Sequence, residues 1–378
     1  MIQNLTAHQQ SPLTGRQREL HQLWDLFEAS MTGHTHVVFV SGEPGIGKTR
    51  LLNEVAERAE QSGALVLRGG ASEAEGMPPY LPFLEALGQH IRTATPDELR
   101  EQTNPLASVL ATILPELPMR LGSLPSSYSL PPEQTRLRLY EAVGLFLAAI
   151  AVPRPLLLLL DDLQWADTAT LDLLCYLAQH QATSRLCILG AYRSDELANH
   201  PALERSILNL TRSRQLLTLA LGPLHEADVA ALITARLGVS PHHTFSQLLW
   251  KQSEGNPFFL EELLRAWLET GVLTITPSHV HVSSSPPPSL PASISSLIRH
   301  RFARLPQDVL ETLRLAAILG RTFASSFLAE VMSQDEELIR QRCALSRADG
   351  SAARRPGADR TLYHQAASFP GVIPRWAG

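Results

Sequence analysis

The stretch Val37–Leu52, VVFVSGEPGIGKTRLL, constrains this chain more than any other. Val37, Val38, Phe39 and Val40 form a β-branched and aromatic run, the mark of a buried strand. Lys48 and Thr49 open a segment in which Leu51, Leu52, Val55 and Ala56 recur at helical spacing. Between them Gly42 to Thr49, GEPGIGKT, fits the pattern G-x-x-x-x-G-K-[ST]. A strand, a glycine loop and a helix in this order make a cradle for phosphate. Glycines let the backbone turn its N–H groups inward with no Cβ in the way. The helix N-terminus adds partial positive charge. Lys48 can reach the β- and γ-phosphates, and the Thr49 hydroxyl can hold Mg²⁺. The candidate nucleotide-binding residues are therefore Gly42, Glu43, Pro44, Gly45, Ile46, Gly47, Lys48, Thr49 and Arg50.

A second constellation lies further along the chain. Leu156–Leu160 is five consecutive leucines, followed by Asp161 and Asp162. A fully apolar run of that length suits a parallel strand buried on both faces. Its C-terminal end is where open α/β sheets place ligand chemistry. Asp161 can hold Mg²⁺ there, and Asp162 can orient or deprotonate an attacking water. Asp167 precedes the helical pattern TATLDLLCYLAQH and reads as its N-cap. Arg185–Ala191 is another apolar strand, and Arg193 at its end is placed to sense the γ-phosphate. Ala64–Arg68 and Leu216–Leu221 supply the remaining strands of the sheet. Helices are predicted over 81–91, 105–114 and 132–151, the last with Leu137, Tyr140, Val143, Phe146 and Leu147 on its buried face.

Composition excludes several classes. Hydrophobic residues make up 44% and charged ones 18%, so the chain can bury a core. The net charge of -5 gives no global attraction to nucleic acid or anionic membrane. The most apolar run, Ala142–Leu160, is broken by Pro153, Arg154 and Pro155, short of the roughly 20 residues a span needs. The start, MIQNLTAHQQSP, has neither a basic cluster nor an apolar core, so no secretory signal is read there. Three scattered cysteines, Cys175, Cys187 and Cys343, show no metal spacing and read as reduced thiols of a cytoplasmic protein. His242 and His243 are assigned to a loop.

The expected organisation follows. Residues 1–12 form a flexible N-terminus. Residues 13–221 form a nucleotide-binding α/β domain with a parallel sheet, flanking helices and a helical insertion over 71–155. From Gly222 the period becomes helical, and 222–271 is a helical domain in which Gly255 and Pro257 end one helix and begin the next. A hairpin and a Pro/Ser linker occupy 272–291, helices 292–345, and an irregular tail 346–378.

Taken in order, these motifs resemble the signal-transducing P-loop ATPases called STAND NTPases. The chain looks most like the AAA-type ATPase module of large bacterial transcription regulators and adenylate-cyclase-like signalling proteins. Leu13-Thr14-Gly15-Arg16 is similar to that family's adenine-side motif, Gly42–Thr49 to Walker A, and LLLLLDDLQWAD (156–167) to Walker B. Gly190–Glu196 is similar to its sensor strand end, and Gly255-Asn256-Pro257-Phe258 to its lid turn, in which the proline approaches the base. The resemblance implies ATP or ADP with Mg²⁺ as ligands. Lys48 and Thr49 would bind phosphate and metal, Asp161 metal, Asp162 would be the base and Arg193 the phosphate sensor. Gly15 and Arg16 would lie near adenine. Helices after Pro291 would form a winged-helix-like relay domain, incomplete here. The loss of apolar periodicity after Ser346 suggests a truncated or frame-shifted product.

The resulting expectation is an ATP-dependent switch with slow hydrolysis, working with a protein partner or a second copy. Two alternatives are a nucleotide-binding interaction module without turnover and an origin-recognition-like ATPase that binds DNA. The acidic balance counts against the last.

Overall fold

The computed structural model describes residues 13–74, 76–122, 124, 131–180, 184–275, 280–282, 306–319 and 325–348. They divide into two compact units. One runs from Arg16 to Leu221; the other holds Gly222 onward together with the residues up to Gly15. The expectations for residues 1–12, the linker, residues 292–305 and 320–324 of the expected helical segment, and the tail beyond Ala348 lie outside the described residues.

The Arg16–Leu221 unit begins with α1 (Gln17–Met31), β1 (His36–Gly42), α2 (Lys48–Gln61) and β2 (Leu65–Gly70). Four short helices follow: α3 (Leu81–Thr93), α4 (Pro96–Thr103), α5 (Ala107–Leu110) and α6 (Glu116–Leu121). Then come α7 (Pro132–Ile150), β3 (Leu156–Asp161), α8 (Thr168–His180), β4 (Leu186–Arg193), α9 (Pro201–Arg212) and β5 (Leu217–Ala220). The five strands form one parallel sheet in the order β2-β3-β4-β1-β5. This is an α/β P-loop fold: the glycine loop joins β1 to α2, and the strand bearing the acids stands one strand away, across β4.

The run of leucines explains why β3 lies inside the sheet. Leu156, Leu157, Leu158 and Leu160 are fully buried and Leu159 nearly so, and burial of a leucine is worth about 1.5–3 kcal/mol. Alternate residues face opposite ways, so a strand of this kind needs cover on both faces. The cover is helical. Val37, Phe39, Leu158, Leu160 and Ile188 share a core cluster with Phe83, Leu87, Phe146 and Leu174 from α3, α7 and α8. Val38, Val40, Leu157 and Leu189 are buried as well, and α1 and α2 pack on the sheet.

The insertion differs from the sequence expectation in detail. The predicted helix over 105–114 shrinks to Ala107–Leu110, while α4 and α6 form where none was predicted. Helix α4 is held by a capping box: Thr95 Oγ1 accepts from Glu98 N–H, and the Glu98 carboxylate accepts from Thr95 N–H. On α7 the buried face holds Leu139, Tyr140, Val143, Phe146 and Leu147, whereas Leu137 is 56% exposed. Apolar residues occur all round this helix, so its period admitted more than one face.

The second unit contains α10 (Glu226–Leu237), α11 (His243–Ser253) and α12 (Pro257–Glu269), with a core that includes Val229, Ile233, Leu249, Leu260, Leu264 and Trp267. An antiparallel pair, β6 (Leu273–Ile275) and β7 (Val280–Val282), follows, then helices Gln307–Leu319, Ser325–Met332 and Glu336–Ala348. His242 lies outside helix α11 as expected, but His243 is not in a loop. His243 opens α11, and the His242 ring accepts the Thr244 N–H as its cap.

Candidate functional site

The glycine loop leaves β1 at Gly42 and enters α2 at Lys48. Gly45 and Gly47 both have positive φ, +77° and +102°. Gly47 is the N-cap, and its left-handed backbone turns the chain into the helix. No side chain caps α2, so the first-turn N–H groups that a helix leaves without an internal acceptor face the loop. The Ile46 side chain is buried and fixes the loop from beneath. Pro44 lies within the loop, between the Glu43 carbonyl, which accepts from Ile46 N–H, and Gly45. Arg50, on the first turn of α2, donates to Glu54 at 3.2 Å.

Lys48 is 8% exposed. Its Nζ donates to the carbonyls of Gly42 at 2.8 Å and Glu43 at 3.0 Å, which holds the ammonium over the loop. Burial lowers its pKa first, and the nearby Arg193 lowers it further; Asp195, Asp161 and Asp162 oppose the shift. An anion entering the loop would meet a cation that is poorly solvated and already oriented.

Thr49 lies next to Lys48 in sequence, and its Oγ1 donates to Asp161 Oδ2 at 2.7 Å, across 112 residues of chain. A hydroxyl and a carboxylate placed together are hard oxygen donors, the set that suits Mg²⁺. Asp161 Oδ1 also accepts the Asp162 N–H at 2.8 Å. Burial nevertheless raises the Asp161 pKa, and the Asp162 charge adds to that, so the carboxylate stands short of compensating charge.

Asp162 has φ +54°, a left-handed conformation that aspartate adopts more readily than most residues. It starts the tight turn Leu163–Trp165. Its Oδ1 accepts from Gln164 Nε2 at 2.8 Å and lies 3.9 Å from Arg193 Nε. Arg193, at the end of β4, is paired in register with Gly42 on β1. Its guanidinium sits 4.5 Å from the centroid of the Trp165 ring, and its Nη1 donates to Glu196 Oε1 at 2.9 Å. Asp167 caps α8 through Thr170 and also accepts the Tyr80 N–H at 3.1 Å.

The structure thus brings Lys48, Thr49, Asp161, Asp162 and Arg193 to one end of the sheet. Arg16 is 4% exposed and donates from Nη2 to the Ile46 carbonyl at 3.2 Å and from Nη1 to Glu19 at 3.2 Å, so it braces the loop. Gly15, with φ +71°, precedes it. Pro257 belongs to the other compact unit, where it opens α12 behind its cap, Asn256. Gln164 was not singled out from sequence. Its only signal there was its place two residues after the second acid.

Residues 12–189 match the AAA ATPase domain family. That match supports an AAA-type P-loop ATPase domain over this segment. An uncharacterised protein of Rhizobium meliloti is 24% identical over 328 residues, 82% of this chain and 30% of its own length. A hybrid signal transduction histidine kinase of Dictyostelium discoideum is 27% identical over 173 residues, 43% of this chain and 5% of its own length. The chain therefore spans less than a third of either curated relative. Among solved structures, Aeropyrum pernix ORC1, determined in complex with DNA, is similar with a TM-score of 0.44 at 15% identity, covering 98% of this chain and 95% of that one. A point variant of Thermotoga maritima RuvB gives a TM-score of 0.40 at 13% identity, covering 93% and 92%. No helix among the described residues is long and apolar enough to cross a membrane.

Proposed function

We propose that this chain is an ATP-binding switch of the STAND type that hydrolyses ATP slowly, as part of a cytoplasmic signalling or transcription-regulating protein. The observation that carries it is the Thr49–Asp161 contact of 2.7 Å beside Lys48, with a second acid next in the chain. Loop N–H groups and Lys48 would hold the β- and γ-phosphates of ATP. Thr49 and Asp161 would hold Mg²⁺, whose charge when bound would stabilise the negative charge developing on the transferred phosphate. Asp162 would orient the attacking water through the carboxylate oxygen that Gln164 does not occupy. Arg193 would sense the γ-phosphate, and Gly15, Arg16 and Pro257 would serve the base. ATP and ADP would then favour different conformations, which a protein partner or a second copy would read. The signalling part of the proposal draws support from the Dictyostelium relative's description as a signal transduction kinase. The balance of charge, -5, speaks against direct DNA binding by this chain.

The test is phosphate release by the purified chain, paired with a nucleotide-binding titration. Asp162→Asn should bind Mg·ATP as the parent does and lose all but a residual turnover. Hydrolysis at the parent rate by that variant would refute the role given to Asp162. A non-hydrolysing binding module is the second reading, favoured by one observation: Asp162 Oδ1 is already engaged by Gln164. Undetectable phosphate release from a parent that binds ATP would select it.

A further inference from the structure

Gln164 hydrogen-bonds through its side chain at two strand ends, to Asp162 and to Arg193. It is 1% exposed. Its Nε2 donates to Asp162 Oδ1 at 2.8 Å, and its Oε1 accepts the Arg193 backbone N–H at 3.1 Å. One side-chain amide therefore joins the C-terminal end of β3 to that of β4. The orientation of the amide is fixed by chemistry. Reversed, it would set its oxygen against a carboxylate and its NH₂ against an N–H, leaving both ends of a buried group unsatisfied.

The surrounding packing keeps the amide in place. Trp165 N–H closes the turn onto the Asp162 carbonyl at 3.0 Å. Leu163 is fully buried. It fits because β4 carries a glycine opposite: a Cβ at Gly190 would lie 2.6 Å from Leu163 Cδ1 and 2.7 Å from a Phe39 ring carbon. The residue after Gln164, Trp165, supports the Arg193 guanidinium. The turn thus controls two groups at once, the second acid and the strand-end arginine.

We infer that Gln164 is a positioning residue for hydrolysis: its amide sets the orientation of the Asp162 carboxylate and couples it to the position of Arg193. The inference rests on the proposed role of Asp162. Gln164 acts through Asp162 and makes no contact with substrate. A purely architectural Gln164, holding the turn and nothing else, makes different predictions.

The experiment measures kcat and KM for Mg·ATP by phosphate release from the full chain. The proteins are the parent, Gln164→Met, Gln164→Glu, Asp162→Asn, and each Gln164 variant combined with Asp162→Asn. Methionine has a similar length and makes neither hydrogen bond. It should lower kcat about tenfold, the loss expected of one hydrogen bond to a charged group, and leave KM within about twofold. Glutamate can still accept from the Arg193 N–H, but it turns a like charge toward Asp162, so it should lower kcat further than methionine. In the Asp162→Asn background either replacement should change residual kcat by less than about twofold, because the group it positions is gone.

An architectural role gives the opposite pattern: glutamate milder than methionine, and equal losses in both backgrounds. Either result overturns the inference. If Gln164→Met fails to fold, as judged by circular dichroism, the glutamate pair decides alone: a loss confined to the Asp162 background supports the inference, and an equal loss in both overturns it. A parent without turnover, or an Asp162→Asn variant at the parent rate, overturns the proposed function and this inference with it. A parent whose turnover depends on Asp162 while both Gln164 variants match it overturns the Gln164 inference alone.

Discussion

Replacing Asp161 by asparagine should stabilise the nucleotide-free chain while removing its response to Mg²⁺. The sign follows from the surroundings of the carboxylate. Asp161 accepts hydrogen bonds from Thr49 Oγ1 at 2.7 Å and from Asp162 N–H at 2.8 Å, yet burial outweighs both and its pKa is raised. A carboxyl whose folded pKa exceeds its unfolded value contributes stability below the unfolded pKa and loses it as pH rises through the folded pKa. In its ionised form the parent therefore carries a charge that its fold disfavours. Asparagine has nearly the same shape. Its Oδ1 can keep the Asp162 N–H, and the Thr49 hydroxyl can turn to accept from Nδ2. Relief of such a functional-site charge is worth about 1 kcal/mol, discounted because the group is only partly buried. For a domain of this size that is a melting temperature higher by about 2–4 °C. Thermal unfolding followed by circular dichroism, without nucleotide and at neutral pH, measures it. The gap between variant and parent should narrow as pH falls through the parent's folded pKa, which lies above the ordinary value of 3.8. Saturating Mg·ATP should reverse the order, since only the parent has the negative oxygen that the cation needs. An asparagine variant that melts below the parent without nucleotide, or that gains as much as the parent from Mg·ATP, would refute the argument.

Two further outcomes are expected. Lys48→Met should weaken ATP binding by roughly three decades, because a cation about 4 Å from a phosphate charge at an effective dielectric near 20 is worth about 4 kcal/mol; calorimetric titration showing less than a tenfold change would contradict it. Gly69→Ala should destabilise the Arg16–Leu221 unit by about 3 kcal/mol in urea unfolding, since its Cβ would fall 1.8 Å from the Pro82 carbonyl oxygen at the start of α3.

Legibility in the sequence tracked locality. The glycine loop was visible because all its chemistry lies within Gly42–Thr49, flanked by its own strand and helix. Asp161 could be placed from sequence because five leucines announce a buried strand, and a buried strand has an obvious end. The contact with Thr49 then follows from the sheet. Helix α4 was missed because PDELREQT has no apolar stripe to register; its signal was the capping pair Thr95 and Glu98. The face of α7 was misjudged at Leu137 because apolar side chains surround that helix, and only the helices packed on it, among them α4, α5 and α8, decide which are covered. Gln164 was passed over because a polar residue in a turn after two acids looks solvated. Its burial exists only once Leu163 finds the space beside Gly190. The bracing of the loop by Arg16 was hidden for a similar reason. A conformational link to the Ile46 carbonyl, 30 residues away, leaves no periodic trace.

The place of β4 has a consequence for how the site comes into being. Strand β4 is made after both β1 and β3, yet it ends up between them. A nascent chain that has already produced the glycine loop and both acids has β2 as a neighbour for β3, but neither neighbour of β1. If β1 and β3 paired directly, Thr49 and Asp161 would stand one strand too close for the arrangement seen here. The two halves of the site are joined by a strand made after both of them, carrying Arg193 at its tip. Long-range parallel pairing of this kind is slow to form, and exposed strand edges in the interval invite wrong partners. The arrangement of Lys48, Thr49, Asp161 and Arg193 therefore requires β4 in place between two strands that precede it in the chain.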